Sequence, residues 1–297
     1  MCNNHRSMIL ASLRERSGAE TNVWDRSAIR YDSRMSTDER AFLDAIIAAP
    51  DDDTARLVYA DWLTENGRPD RGAFIRTEIE LARTPPTTEE DERRRRVLIE
   101  RRDDLLKRHK AVWLKPFLPF AKDSAFERGF VEALEVHAST FLQSAEKWFA
   151  LTPLTRVRFT VCNAWDAGSA SYVWWAERLF TSPLLSRLKV IELEHLQLTA
   201  DDLTPLAAAP DLSRLRELVL AVNNIRNEGA VRLAAMPQLQ GLEVLDLRGN
   251  GISDAGARAV AQSPHLGGLK ELRMTRNPIR NKTWAVLEER FGDALTS

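Results

Sequence analysis

A leucine pattern recurs every 27 residues in the C-terminal part of the chain, and it limits the fold more than any other feature. The aligned segments read LKVIELEHLQL, LRELVLAVNNI, LEVLDLRGNGI and LKELRMTRNPI, and they begin at Leu188, Leu215, Leu242 and Leu269. A fixed period of this length predicts one small structural unit per repeat. Each unit must stack on the next, because a single unit cannot bury its apolar face alone. We therefore expect a row of parallel strands in front of a continuous leucine core.

The turn after each strand is predicted from a recurring asparagine, at Asn223, Asn250 and Asn277. An amide side chain can satisfy backbone groups in a tight turn, which an aliphatic side chain cannot do. The first clear repeat has Leu196 at this position, so we expect a looser turn there. After the turns, helices are predicted in segments 227–234 and 254–261, where alanine and glycine would allow close packing on the strands.

The pattern L-x-x-L-x-L-x-x-N-x-L resembles the signature of leucine-rich repeats. The period of 27 residues with a full helix resembles the ribonuclease-inhibitor-like class of these repeats. The resemblance implies an α/β solenoid with parallel strands on its concave face and helices on its convex face. We expect this domain to span residues 125–297. Weaker copies predict further strands at residues 130–136 and 154–161, and Trp284, Leu287 and Phe291 are expected to cap the last repeat.

A small all-α domain is predicted before the repeats, over residues 35–115. Ser36 and Glu39 have the spacing of a capping box, and an apolar helical pattern follows them. A second helix is expected from a cap at Asp53 or Thr54, with Leu57, Val58, Trp62 and Leu63 on its apolar side. Asn66-Gly67 would end it, and Pro69 suits the first turn of a third helix, with an apolar set of Phe74, Ile75, Ile79 and Leu81. A long charged helix is expected over about 88–110, with a thin stripe of Val97, Leu98, Leu105 and Leu106.

The run LVYADWL at residues 57–63, followed by PDR at 69–71 and FIR at 74–76, resembles the bacterial repeat-companion domain. The resemblance covers roughly residues 36–82. The stretch RGFVE at 128–132 also resembles the segment found after that domain in such proteins. The resemblance implies no known activity. Asp61, Arg71 and Arg76 could form a ligand site, but a structural ion pair between helices is the more common use of such charges.

Residues 1–34 are expected to be a disordered extension. They lack the sustained apolar core of a secretory signal, and their acidic residues argue against an organelle transit peptide. Met35 begins a segment that reads like a native start. An upstream start codon would explain the extension.

The candidate partner-binding residues are those that alternate with the core leucines, since successive side chains of a strand point to opposite faces. They form three rows across the repeats: Val190, Glu217, Val244 and Glu271; Glu192, Val219, Asp246 and Arg273; and Glu194, Ala221, Arg248 and Thr275. A solvated face without a partner and a protein-binding face both remain open.

Composition and motifs argue against several functions. The net charge of −1 offers no global attraction for nucleic acid or an anionic membrane, and no apolar run approaches the roughly 20 residues of a membrane-spanning helix. Cys2 and Cys162 form neither a disulfide framework nor a zinc motif, which favours a reducing cytoplasm. The histidines stand singly, and nucleophile-elbow, phosphate-loop and dinucleotide motifs are absent.

We therefore expect no enzyme activity, no cofactor and no metal. The first functional hypothesis is a monomeric scaffold that binds a protein partner through the concave face. The alternative is a regulator of an enzyme, an inhibitor or a GTPase activator, that uses the same face. An activator would need an exposed catalytic arginine or asparagine, and Arg248 and Arg273 are the arginines of this face in the four clear repeats.

Overall fold

The computed structural model describes residues 35–118, 124–160, 170–209 and 211–296, and residues 41–297 form one compact unit. The extension predicted over residues 1–34 lies outside the described residues. The α-helices in the described ranges are α1 Thr37–Ala48, α2 Asp53–Glu65, α3 Pro69–Arg83, α4 Glu89–Trp113, α5 Ala138–Phe149, α6 Ala170–Phe180, α7 Arg226–Ala234, α8 Asp254–Ala261 and α9 Asn281–Phe291. The strands are β1 Ser124–Glu127, β2 Phe130–His137, β3 Arg156–Thr160, β4 Val190–Glu192, β5 Glu217–Val219, β6 Val244–Asp246, β7 Glu271–Arg273 and β8 Leu295–Thr296.

The strands form one sheet in which spatial order follows sequence order from β1 to β8. β1 and β2 are antiparallel, and every later pair is parallel. From β4 to β7 each residue pairs with the residue 27 positions along, as in Ile191, Leu218, Leu245 and Leu272. The chain is thus mixed α/β, with an N-terminal helical region and a parallel strand series whose register follows the leucine period. Strands β1 and β8 were not predicted.

The N-terminal helices begin and end largely where the capping residues, Gly67 and Pro69 predict. The Ser36 hydroxyl accepts a hydrogen bond from the Glu39 amide at 3.1 Å. Asp52 caps α2, one residue before the predicted cap, through a 2.8 Å bond from the Thr54 amide to its Oδ1. Gly67 has φ of +77°, the left-handed conformation expected after the last turn, and Pro69 begins α3.

The buried side of α2 differs from the prediction. Arg56, Tyr59, Ala60 and Leu63 are buried, whereas Val58 is 50% exposed. The helix is rotated relative to the expected face because the buried guanidinium of Arg56 contacts partners outside the helix. On α4, Leu98 and Leu105 are buried as predicted, but Val97 is 65% exposed. The apolar set predicted on α3 is buried throughout.

The recurring asparagines bond to the backbone of their own turn and of neighbouring repeats. The Asn223 amide donates to the carbonyl oxygens of Leu193 and Leu220, and its Oδ1 accepts from the Leu196 and Leu198 amides at 3.0 and 3.1 Å. Asn277 repeats this arrangement two repeats further along. These contacts confirm the role predicted for the asparagines and link successive repeats.

Glycine in the repeat helices allows close contacts both within its own repeat and with the neighbouring repeat. A Cβ on Gly256 would lie 2.9 Å from Asn227 Oδ1 and 2.8 Å from Ile252 Cγ2. The glycine therefore leaves room both for Ile252 of its own repeat and for Asn227 of the preceding repeat. The first clear repeat has a 3₁₀ helix over Asp201–Ala208 in place of an α-helix, and it contains Pro205, which cannot donate a backbone hydrogen bond.

A continuous apolar core runs behind the sheet from Leu114 and Phe117 to Leu287. Trp284 and Phe291 pack against its C-terminal end, as expected for capping residues. In helix α6, Trp175 packs against the same core.

Candidate functional site

The face of the sheet opposite the leucine core carries the residues predicted to bind a partner, and we call it the outer sheet face. Strand register places the predicted rows side by side, with Val190, Glu217, Val244 and Glu271 in the first, and Glu192, Val219, Asp246 and Arg273 in the second. Backbone bonds from His195 to Ala221, from Val222 to Arg248 and from Gly249 to Thr275 continue this arrangement into the third row. The parallel strands therefore bring all the predicted residues onto one continuous surface.

The register also adds residues that the sequence interpretation omitted. Strand β3 pairs Arg156 with Val190 and Arg158 with Glu192, so both arginines lie on the outer sheet face. Strand β2 adds Glu135 beside Arg158. The leucine segments at 154 and 188 are out of phase with the 27-residue period, which is why the rows were not extended to β3. The alternation of arginine with valine and phenylalanine in RVRFT is the signal that could have found them.

Glu192 lies between the two arginines of β3. Its Oε1 is 3.0 Å from Arg156 Nη1, and its Oε2 is 2.6 Å from Arg158 Nη2. The carboxylate side chain is only 9% exposed, while the two arginine side chains are 44% and 50% exposed. The acid therefore positions two guanidinium groups that remain accessible from solvent.

Asp246 has a similar place between Arg248 and Arg273. Arg248 donates from Nε to both carboxylate oxygens at 3.0 Å and from Nη2 at 2.6 Å. Arg273 Nη1 is 3.5 Å from Asp246 Oδ2, and the Arg273 guanidinium also bonds to both oxygens of Glu271. Asp246 is fully buried, and its hydrogen bonds raise the pKa of Arg248 above the usual arginine value.

Small apolar residues separate the two arginine pairs. Val190, Val219 and Ala221 are buried although they lie outside the leucine core. The middle of the candidate surface thus combines buried apolar side chains with the partly exposed Glu194 and Glu217, and it lies between two sets of guanidinium groups that buried carboxylates hold in place.

The charges of the helical region do not form the ligand site that the sequence left open. Arg76 Nη1 pairs with Asp61 Oδ1 at 2.7 Å and Arg76 Nη2 bonds to the Thr64 hydroxyl, so this pair joins α2 to α3. Arg71 makes no such contact and lies within 6.0 Å of the ring centroids of Phe74, Trp113, Phe126 and Phe130. Burial lowers the pKa of Arg71 to about 10.

A buried ion pair that the sequence did not predict connects the helical region to the sheet. Arg56 Nη2 lies 2.7 Å from Glu132 Oε1, and the two side chains are 0% and 2% exposed. Arg56 also donates to the carbonyl oxygens of Pro50 and Arg128. Burial raises the pKa of Glu132 to about 7, although Arg56 and Arg128 oppose that shift. We name the group of Arg56, Glu78, Arg128 and Glu132 the junction.

Glu78 is the second buried carboxyl group of the junction, and it lies on α3. Burial raises its pKa to about 7, against the opposing effects of Arg102 and of a hydrogen bond from the Gly129 backbone amide. The Arg102 Nε atom is 4.0 Å from Glu78 Oε1. Both buried carboxyl groups therefore face the turn between β1 and β2.

Within the described ranges, no group of three or more histidine, cysteine, aspartate or glutamate residues is arranged to hold a metal ion. Across the same residues, no helix has both the length and the apolar composition needed to cross a membrane.

A family model described as Leucine Rich repeat matches residues 213–234 and 239–261. The first match contains β5 and α7, and the second contains β6 and α8. No curated protein matches the chain. This part of the chain therefore contains leucine-rich repeats, an architecture whose extended surfaces generally serve protein interactions.

Proposed function

We propose that this protein is a non-enzymatic interaction scaffold whose strand series forms the concave face of a leucine-rich-repeat solenoid and binds a protein partner there. The observation that carries the proposal is the in-register surface of the outer sheet face, where two pairs of accessible arginines lie on either side of buried apolar residues and partly exposed acids. Arginine is one of the residue types that are enriched in protein interfaces. In the same proposal, the helical region is a repeat-companion domain, and the protein acts as a monomer in the cytoplasm.

We favour this role over that of a GTPase activator. Arg248 and Arg273, the arginines predicted for such a role, are each held by two carboxylate oxygens of a neighbouring side chain. A catalytic arginine must extend its guanidinium towards the transferred phosphoryl group. Releasing either side chain would break charge-assisted hydrogen bonds and, for Arg248, would leave the buried carboxylate of Asp246 with fewer partners.

An affinity experiment with matched variants tests the scaffold. The immobilised protein should capture a stoichiometric protein partner from native lysate, and the double substitution Glu194→Lys/Thr275→Lys should reduce capture at least about tenfold, since both positions are partly exposed on the outer sheet face. The control is Val231→Lys on α7, where the side chain is 48% exposed away from that face. Capture that survives the double substitution and fails with Val231→Lys would refute the proposed face. Turnover of a small substrate without any stoichiometric partner would refute the scaffold.

A further inference from the structure

A second charged surface lies at the end of the sheet where the strands begin, away from the outer sheet face. It is a small cleft, open to solvent, with Arg187 and Arg214 in its wall. The rest of the wall is mainly apolar and includes Pro50, Phe149, Pro153 and Leu154. Two cationic groups thus share a small opening, and most of the other residues around it are apolar.

The repeat period explains why the two arginines lie together. Arg187 and Arg214 occupy the same position of consecutive repeats, one residue before Leu188 and Leu215. Stacked repeats place equivalent residues beside each other. The next two repeats have Gly241 and Gly268 at this position, so the paired charge is confined to one place along the sheet.

Neither guanidinium is neutralised by a carboxylate within the described ranges. Arg187 lies 4.3 Å above the Phe149 ring centroid and donates to the Phe149 carbonyl oxygen at 3.3 Å, which leaves most of its N–H donors unused. Arg214 is exposed. The nearby carboxylate of Asp51 is engaged by Lys189 at 2.5 Å. Burial and the charge of Arg214 both lower the pKa of Arg187 below its usual value, so an anion in the cleft would relieve an existing repulsion.

We propose that Arg187 and Arg214 form a binding site for an oxyanion group, a carboxylate or a phosphate. The planar guanidinium can donate two parallel hydrogen bonds to such a group, and the contacts with the ring and carbonyl oxygen of Phe149 restrain Arg187 in advance. The site does not involve the outer sheet face, so the outcome of its test is independent of the proposed scaffold role.

The test is an NMR titration of the full chain that follows the arginine Nε–H signals. Sodium phosphate and sodium acetate are added in separate arms at constant ionic strength, and saturable shifts of Arg187 and Arg214 are expected in at least one arm. Substitution Arg214→Gln should weaken binding about tenfold, the effect of losing a charged hydrogen-bonding partner. Arg214 is exposed, so this variant should fold even if Arg187→Gln does not.

The control is Arg96→Gln, which removes the same charge from an exposed position on α4 and should change the affinity less than twofold. Saturation with phosphate alone or with acetate alone supports the site and identifies the group that it prefers. The proposal would be overturned if Arg214→Gln and Arg96→Gln weakened anion binding equally. It would also be overturned if the shifts rose linearly, without saturation, with both phosphate and acetate.

Discussion

The junction and the repeat region are held together by different kinds of contact. In the repeats, leucine packing and asparagine bonds recur along the strand series, and many of these contacts join a repeat to its neighbour. At the junction, single side chains that lie far apart in the sequence meet in a buried ion pair that occurs once. The comparison shows that a periodic sequence can specify its own packing, whereas a non-periodic boundary depends on specific charged partners.

The largest expected effect comes from breaking the junction pair. Glu132→Ala leaves Arg56 buried without its carboxylate partner, and we expect a loss of about 3–5 kcal/mol in the free energy of unfolding. Urea denaturation at pH 8, where the Glu132 carboxyl group is ionised, measures this loss in the free energy of unfolding.

The double variant Arg56→Met/Glu132→Leu is the control for this prediction. Apolar side chains of similar size remove both charges together, so most of the lost stability should return. A cost below about 1 kcal/mol for Glu132→Ala would mean that the pair does not hold the junction.

The second prediction concerns how the free energy of unfolding depends on pH, because the junction buries two carboxyl groups. Because the pKa of folded Glu78 is raised to about 7, the folded state binds this proton more tightly than the unfolded chain does. The resulting stabilisation is present below the unfolded value of 4.5 and is lost as the pH rises through about 7. Glu132 acts in the same direction.

Glu78→Gln should remove the Glu78 part of this dependence. We expect the fall in unfolding free energy between pH 5 and pH 8 to be smaller in the variant by about 2 kcal/mol. Chemical denaturation at several pH values measures this difference. Exposed Glu100→Gln on α4 should leave the wild-type slope unchanged. If Glu78→Gln also keeps that slope, Glu78 is not a buried proton-binding group.

The smallest expected effect distinguishes two asparagines within the repeats. Asn223 and Asn277 accept two backbone amide hydrogen bonds each, whereas Asn250 Oδ1 is buried and has no hydrogen-bond partner among the described residues. In the turn that faces Asn250, Val222 adopts φ of +54°, a strained value for a β-branched residue.

Asn223→Ala should therefore cost about 1 kcal/mol more than Asn250→Ala, because it leaves the amides of Leu196 and Leu198 without an acceptor. Urea denaturation of both variants under one condition measures the difference. Equal costs would show that all asparagines of the series support their turns to the same extent.

Most of the strand series could be predicted because its signal is local and repeated. Leu215 and Leu242 mark the starts of β5 and β6 to within two residues, and the asparagine turns follow at fixed offsets. The alternation of side chains along these strands also placed Glu192 and Asp246 on the outer sheet face. What alternation could not show is that both acids are buried beneath arginines.

The membership of the outer sheet face was predicted only in part. Arg156 and Arg158 belong to it because β3 pairs with β4, and the longer interval between the leucines at 154 and 188 hid this pairing. The buried side of α2 was missed for a related reason. A helical pattern of apolar residues does not predict that an arginine is buried. The burial of Arg56 depends on a carboxylate that another element supplies.

The sequence by itself determined the period, the parallel strands and the asparagine turns, because each repeat contains the information for its contact with the next. Only the tertiary structure decided the junction, the arginine pairs of the outer sheet face and the rotation of α2. Those features depend on charges whose partners lie elsewhere in the chain, and a charge can be buried only where the fold brings such a partner to it.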